Sequence, residues 1–195
     1  PGVPVGAWRA VSHVYNSFVT ESFIDDLAAT AGKDPVEYRR SLLGRNPRLL
    51  NVLDQAARRA GWGNALPAGH FRGVAVHEGF GSYIAHVVEV SIAEKSRVKV
   101  HRVVSALDCG QVVNPDGARA QVEGGVAFGL TAALKSSIVI QDSQSRQSNF
   151  HNYPIMDMSD MPDVDVLLVD SYAAPGGVGE IAVPPITAAV ANAVF

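Results

Sequence analysis

The spacing of apolar residues changes once along this chain, at Phe71, and that change sets the fold class. Before it, apolar side chains recur every three to four residues; after it, they alternate. The first spacing gathers side chains on one face of a helix, the second on one face of a strand. Phe18, Val19, Phe23, Ile24, Leu27, Ala28 and Ala31 therefore predict a helix with one apolar face over residues 18–31, stopped by Gly32. Asp34-Pro35-Val36-Glu37 supplies an N-cap, a proline at the first helical position and an acid three residues after the cap, so a second helix is expected to about Leu43. Asn46-Pro47 repeats the start signal, and Leu49, Leu50, Leu53, Ala56, Ala57 and Ala60 carry a third helix to Gly61. The pairs Arg39-Arg40 and Arg58-Arg59 read as solvated helix faces.

Beyond Phe71, Ile84, Val88, Val90 and Ile92 alternate, Glu94-Lys95-Ser96 breaks the run, and Val98 and Val100 resume it, which is a hairpin pattern. Asn114-Pro115 opens a further helix with Gly124-Gly125 in its middle. Each mid-helix glycine costs roughly 0.5–1 kcal/mol relative to alanine, so the pair points to close approach by another backbone or a ligand. The polar stretch 141–149 joins two β-like runs, Ser137–Ile140 and Val164–Val169, and Pro184-Pro185 starts a last helix. The whole reads as one α+β unit, with a helical N-terminal lobe over residues 1–63 and mixed strands and helices over 71–195.

At 195 residues with 47% hydrophobic and 18% charged side chains, the chain can build a core. A net charge of −3 and a pI near 6.1 give no basic field for phosphates, which argues against a nucleic-acid partner. No apolar run approaches the roughly 18 residues expected of a membrane span. The chain opens on Pro1 without a recognisable secretory signal. Cys109 is the single cysteine, so this chain alone makes no disulfide, iron–sulfur cluster or thiolate zinc site. Any redox relay must sit on a partner.

The stretch "PGGVGE", residues 175–180, is the most suggestive local feature. Gly176, Gly177 and Gly179 allow backbone angles that other residues avoid and let amides approach a bound group. Glu180, held by such a loop just ahead of a helix start, can be aimed as a general base. From the residues alone, a surface acid that complements the helix dipole explains it equally well. Asp108 and Asn114 read as a strand end and a helix cap, Glu123 as a pairing or capping acid, and Cys109 as a small buried hydrophobe. The adjacent His77 and Glu78 point to opposite faces of a strand, and the six scattered histidines make no convincing metal site. Tyr153 and Phe150 either line a pocket or pack.

Four segments in order, "VPVGAWRAVSHVYNSFVTESFIDDLA", "DCGQVVNPDGARAQVEGGVAFGL", "QSNFHNYPIMDM" and "GVGEIAVPPITAAVANAVF", give the chain a family likeness. It resembles the C-terminal part of the molybdenum-binding large subunit of the xanthine dehydrogenase/aldehyde oxidase family, in particular the isoquinoline 1-oxidoreductase β-subunit type. The resemblance implies part of a molybdenum hydroxylase that oxidises N-heterocycles or aldehydes with oxygen from water. Glu180 would be its catalytic base. Arg9 would contact the cofactor, with Ala10 and Ser12 standing where the family often has glycine; Gln121 would hydrogen-bond the pterin, and Gly177 and Gly179 would lie against it. The implied cofactor is a molybdopterin dinucleotide carrying molybdenum, in the cytosine form. The implied partners are an iron–sulfur small subunit, the remainder of the large subunit and a small-molecule substrate, in the cytoplasm or the periplasm. The terminal "PPITAAVANAVF" breaks off without a glycine or a basic last turn, which fits a piece of a larger subunit. The competing expectation is a non-catalytic scaffold domain in which Glu180 is idle.

Overall fold

The computed structural model describes residues 5–93 and 97–195; the expected hairpin break at Glu94-Lys95-Ser96 lies outside them. The elements run α1 (His13–Thr30), α2 (Pro35–Leu42), α3 (Pro47–Ala60), β1 (His70–Gly79), β2 (Ser82–Ala93), β3 (Arg97–Asp108), α4 (Pro115–Leu134), β4 (Ile140–Gln141), β5 (Gln144–Ser145), β6 (Asp163–Leu168) and α5 (Val183–Val194). The fold is α+β, as the spacing predicts.

The start signals work as their chemistry requires. Asp34 accepts from the Val36 and Glu37 amides, Asn46 from Leu49 and Asn114 from Gly117, so each proline-led helix begins with a satisfied cap. Gly61 closes α3 in the left-handed conformation.

β1, β2, β3 and β6 form one sheet in that order, antiparallel except for the parallel β3–β6 pair. Both faces are covered. Val74, Val76, Ala85, Val87, Val104 and Ala106 pack with Val52, Leu53, Ala56 and Ala57 of α3. Ala75, Ile84, Val88, Val103 and Leu107 pack with Val122, Val126 and Leu130 of α4 and Ile186, Ala189 and Ala193 of α5. The strands therefore send alternate residues into two different cores.

Three expectations need correction. First, α1 begins at His13, and the apolar face assigned to it looks outward: Phe18, Val19 and Phe23 are exposed, whereas Ser17, Glu21, Asp25 and Ala28 are buried. Second, Arg39 is not on a solvated face; it is 1% exposed, donating to Glu21 Oε2 at 2.9 Å, Asp25 Oδ1 at 2.7 Å and the Glu21 carbonyl at 2.9 Å. The physical reason for both lies at the sheet edge. β1 has a free edge whose backbone groups need partners. Glu21 Oε2 accepts the Val76 amide at 2.9 Å, and Asn192 of α5 donates to the Val74 carbonyl at 3.0 Å. A polar stripe on α1 thus caps the edge, and Arg39 neutralises the acids buried with it. Burial still pushes the Glu21 and Asp25 carboxyls above their ordinary range.

Third, the β-like run Ser137–Ile140 reduces to the exposed two-residue strand β4, paired only with β5. Ile92 likewise lies at the exposed end of β2, whereas Ile84, Val88 and Val90 are buried as expected.

Candidate active site

Two short loops face each other beside the N-terminal end of α5. One is the Trp8–Ser12 turn that leads into α1; the other is the Pro175–Glu180 stretch that leads into α5.

The Trp8 carbonyl accepts the Val11 amide at 2.8 Å, so Trp8–Val11 is a closed turn. Ala10 has φ 71° and Val11 φ 42°, both in the region that favours glycine. Ala10, one of the two positions where glycine was expected to ease the turn, is nonetheless buried. The tight turn exists and carries strain on a residue with a side chain. Trp8 packs on Phe128 of α4, with ring centroids 4.6 Å apart, and the Arg9 guanidinium carbon lies 5.7 Å from the same ring centroid.

In the second loop, none of Gly176, Gly177 and Gly179 adopts a left-handed φ. What these glycines supply is room. A Cβ on Gly176 would sit 2.4 Å from the Gly81 carbonyl oxygen and 2.5 Å from Ser82 Oγ. The Gly177 amide donates to the Phe80 carbonyl at 2.7 Å, and the Gly176 amide to the Cys109 carbonyl at 2.8 Å. Gly179 is different: the nearest atom to a Cβ placed there is Gln121 Oε1 at 3.9 Å, so its outer side is open.

Arg9, Gln121, Gly179 and Glu180, far apart in sequence, come together here. Arg9 Nε donates to the Gly179 carbonyl at 2.8 Å, and Arg9 Nη2 also donates to that oxygen. The same Nη2 lies 3.2 Å from Gln121 Oε1 and 3.4 Å from the Gln121 carbonyl. Glu180 lines a depression of about 380 Å³ together with Trp8, Arg9, Ala10, Val11 and Phe80. Among the described residues, no hydrogen bond or ion pair engages its carboxylate. On the other side of the loop, Gln121, Gly176, Val178 and Cys109 line a second depression of about 360 Å³.

The start of α5 fixes Glu180 from behind. Its carbonyl accepts the Val183 amide at 2.9 Å. Two residues on, the Ala182 carbonyl accepts from His86 Nε2 at 3.0 Å, and His86 Nδ1 lies 2.8 Å from Ser105 Oγ. A carbonyl can only accept, so Nε2 carries the proton and Nδ1 accepts from the serine. Burial holds His86 neutral, with its pKa lowered to about 4. The Gly124-Gly125 signal finds its cause here: a Cβ on Gly125 would lie 2.8 Å from Ala182 Cβ, and one on Gly129 would lie 2.1 Å from Ile186 Cγ2. α4 and α5 touch through Gly125 and Gly129.

Other candidates fall outside the site. Asp108 is buried and takes a two-pronged pair from Arg48 at 2.6 and 2.7 Å. Although burial opposes it, that pair and the Gly110 amide hold its carboxyl below the usual range. Burial pushes the Cys109 thiol up. Glu123 is exposed on α4. Tyr153 and Phe150 line a depression of about 290 Å³, and Phe150 is 72% exposed, so it does not pack in the core. Among the described residues, no group of three or more His, Cys, Asp or Glu side chains could hold a metal ion. Reading the sequence missed Trp8, Phe80, Phe128 and His86; the four-residue spacing of Gly125 and Gly129 was the available sign of the α4–α5 contact.

The arrangement offers an unpaired carboxylate, an arginine and a glutamine amide around open glycine backbone. Gln121 Oε1 is engaged by Arg9, which leaves its NH₂ to donate. That donor set suits a flat, polar ring with mixed hydrogen-bonding edges, so the residues present fit a pterin.

Comparison with known proteins points the same way. Residues 54–162 match the molybdopterin cofactor-binding domain family. The larger component of similarity on the nicotinate dehydrogenase side is that enzyme's B polypeptide from Pseudomonas putida, 36% identical over 217 residues, covering 100% of this chain and 18% of that protein. The β-subunit of isoquinoline 1-oxidoreductase from Brevundimonas diminuta is 34% identical, covering 98% of this chain and 25% of that protein. The chain thus spans a quarter or less of the length of these two relatives. Among solved structures, the aldehyde oxidoreductase of Desulfovibrio desulfuricans superposes with a TM-score of 0.76 over 97% of this chain and 39% of its own, at 14% identity, which speaks for the fold alone. Quinoline 2-oxidoreductase of Pseudomonas putida 86 superposes with a TM-score of 0.55 over 58% of this chain and 15% of its own, at 26% identity.

Proposed function

The chain belongs to the molybdopterin cofactor-binding domain family, and we propose that it is the C-terminal segment of such a domain in a molybdenum hydroxylase, with Glu180 as general base. The observation that carries this reading is the Glu180 carboxylate: half-buried, without a partner among the described residues, and lining a depression beside Arg9. A scaffold has no use for an acid held on both sides and left unpaired.

When bound, a molybdopterin dinucleotide, in the cytosine form, supplies the two-electron acceptor for oxidation of an electron-poor carbon. Gln121 donates its amide to the pterin, and the backbone at Gly177 and Gly179 lets the ring lie close. Arg9 borders the same depression. Glu180 takes, on its carboxylate oxygen, the proton released as water-derived oxygen adds to the carbon of an N-heterocycle or aldehyde. Positioning by the loop and by α5 keeps that oxygen aimed at the substrate. Electrons leave to iron–sulfur clusters on a small subunit, and the remainder of the large subunit completes the site. The exposed Tyr15, Phe18, Val19 and Phe23 on α1 support this: they form an apolar strip that a longer polypeptide would cover. Within the segment, residues 1–63 form the helical lobe and 71–195 the α+β portion.

The test is Glu180→Gln in the complete enzyme. Molybdenum content should stay at the parent level while turnover falls by at least roughly 10²-fold, the low end of what a positioned base contributes. Parent-like turnover would remove Glu180 from the mechanism. Loss of molybdenum would assign it to holding the cofactor.

A further inference from the structure

We propose that Arg9 is a positioning residue, a clamp that fixes the Gly179–Glu180 peptide and so aims the Glu180 carboxylate. The proposal deepens the general-base reading and rests on it for its catalytic consequence; its structural half stands alone.

The carbonyl that Arg9 grips belongs to the same peptide unit as the Glu180 amide, so holding it fixes the plane from which the Glu180 Cα departs. Two donors of one guanidinium, Nε at 2.8 Å and Nη2, converge on that oxygen. The same Nη2 is shared with Gln121 Oε1 at 3.2 Å and the Gln121 carbonyl at 3.4 Å, which ties the loop to α4. The guanidinium carbon also lies 5.7 Å from the centroid of the Phe128 ring, against which Trp8 packs. A planar fork can bond two acceptors and rest on an aromatic ring at once; a lysine ammonium is a single point and cannot reproduce that geometry.

The loop itself explains why a clamp is needed. Gly179 has no side chain to pack, and the space beside it is open. Downstream of Glu180, the Val183 amide on its own carbonyl and His86 on the Ala182 carbonyl hold the backbone. Upstream, the Gly179 carbonyl is held by Arg9. Without it, Glu180 would keep its downstream anchor and gain freedom about the Gly179 torsions. The strained Ala10–Val11 turn follows directly after Arg9, and its conformation presents the arginine to the loop.

The experiment compares Arg9→Gln and Arg9→Lys with the parent in the complete, cofactor-loaded enzyme. It reads steady-state kinetics and, on both loaded and cofactor-free protein, hydrogen exchange of the peptide covering residues 179–183. The clamp predicts that Arg9→Gln lowers kcat by roughly 10²-fold, the scale of loss that accompanies misplacement by about an ångström, with KM changed by less than about threefold. Exchange over 179–183 should quicken by at least about tenfold, with or without cofactor, while β1–β3 keep their protection. Arg9→Lys should recover little of either. Should Arg9→Gln fold poorly, Gln121→Met removes the other anchor of the guanidinium and should give a smaller loss, about tenfold in kcat, with the same local change in exchange.

Unchanged exchange over 179–183 overturns the clamp, as does full recovery by lysine or a kcat within about threefold of the parent. A uniform rise in exchange across the sheet also overturns it, since that marks a merely structural arginine. Failure of the general-base reading is separable: Glu180→Gln tests it by turnover, whereas exchange over 179–183 judges the grip of Arg9 on the peptide whatever Glu180 does.

Discussion

The two loops that meet at Arg9 and Gly179 solve the same problem in opposite ways. The Trp8–Ser12 turn adopts left-handed backbone angles at Ala10 and Val11, residues that pay a steric penalty there. The Pro175–Glu180 loop carries three glycines and uses none of them for such angles; it uses them to press against the Phe80–Ser82 turn. The helices that follow differ in the same sense. α1 buries Ser17, Glu21 and Asp25, and α5 buries Ile186, Ala188, Ala189 and Val190. The N-terminal arm is held by strain and charge, and the C-terminal arm by close packing. Where glycines stand does not reveal where the backbone is strained.

The largest expected effect tests the charged half of that contrast. Arg39→Met would leave Glu21 and Asp25 buried without their shared cation, and loss of one partner from a buried ion pair costs roughly 3–5 kcal/mol. Chemical denaturation should show a loss of that size; a loss under about 1 kcal/mol would mean the α1 polar face is solvated. The packed half is tested by Gly176→Ala, whose Cβ would meet the Gly81 carbonyl oxygen at 2.4 Å. Overpacking against backbone should cost about 3 kcal/mol, read as a lower thermal midpoint.

Acidification comes next. Unfolded histidine takes up a proton near pH 6.5, whereas folded His86 does so only near pH 4 because it is buried. Between those values the unfolded chain binds more protons, so stability is fully present above pH 6.5 and is lost as pH falls toward 4. At pH 5 this single group accounts for about 2 kcal/mol, and His86→Gln should flatten the corresponding part of the slope. The smallest effect sharpens the comparison by removing the strain: Ala10→Gly should stabilise by about 1 kcal/mol, since glycine adopts φ 71° without the penalty. No gain in thermal midpoint would mean that the turn is not strained.

What the sequence revealed followed from local chemistry. Asn46-Pro47 and Asn114-Pro115 start helices because an Asx cap and a proline need nothing from the rest of the molecule. The α1 face was misread because its apolar residues and its buried residues are different sets, and only the free edge of β1 decides which stripe turns inward. Val74-Ala75-Val76 of β1 showed no alternation to read, because both faces of the sheet are covered and all three are buried. Glu180 was visible through its glycines and its family likeness. Its neighbours Phe80, Phe128 and His86 were not, since nothing in their local sequence signals a site that three distant segments assemble.

The most direct test of the central claim is a structure of the complete enzyme with its molybdopterin bound. The account predicts the Glu180 carboxylate within hydrogen-bond reach, about 2.6–3.2 Å, of the oxygen donor it is to deprotonate, with Arg9 still on the Gly179 carbonyl. A carboxylate turned to bulk solvent, with the cofactor held elsewhere, would contradict it.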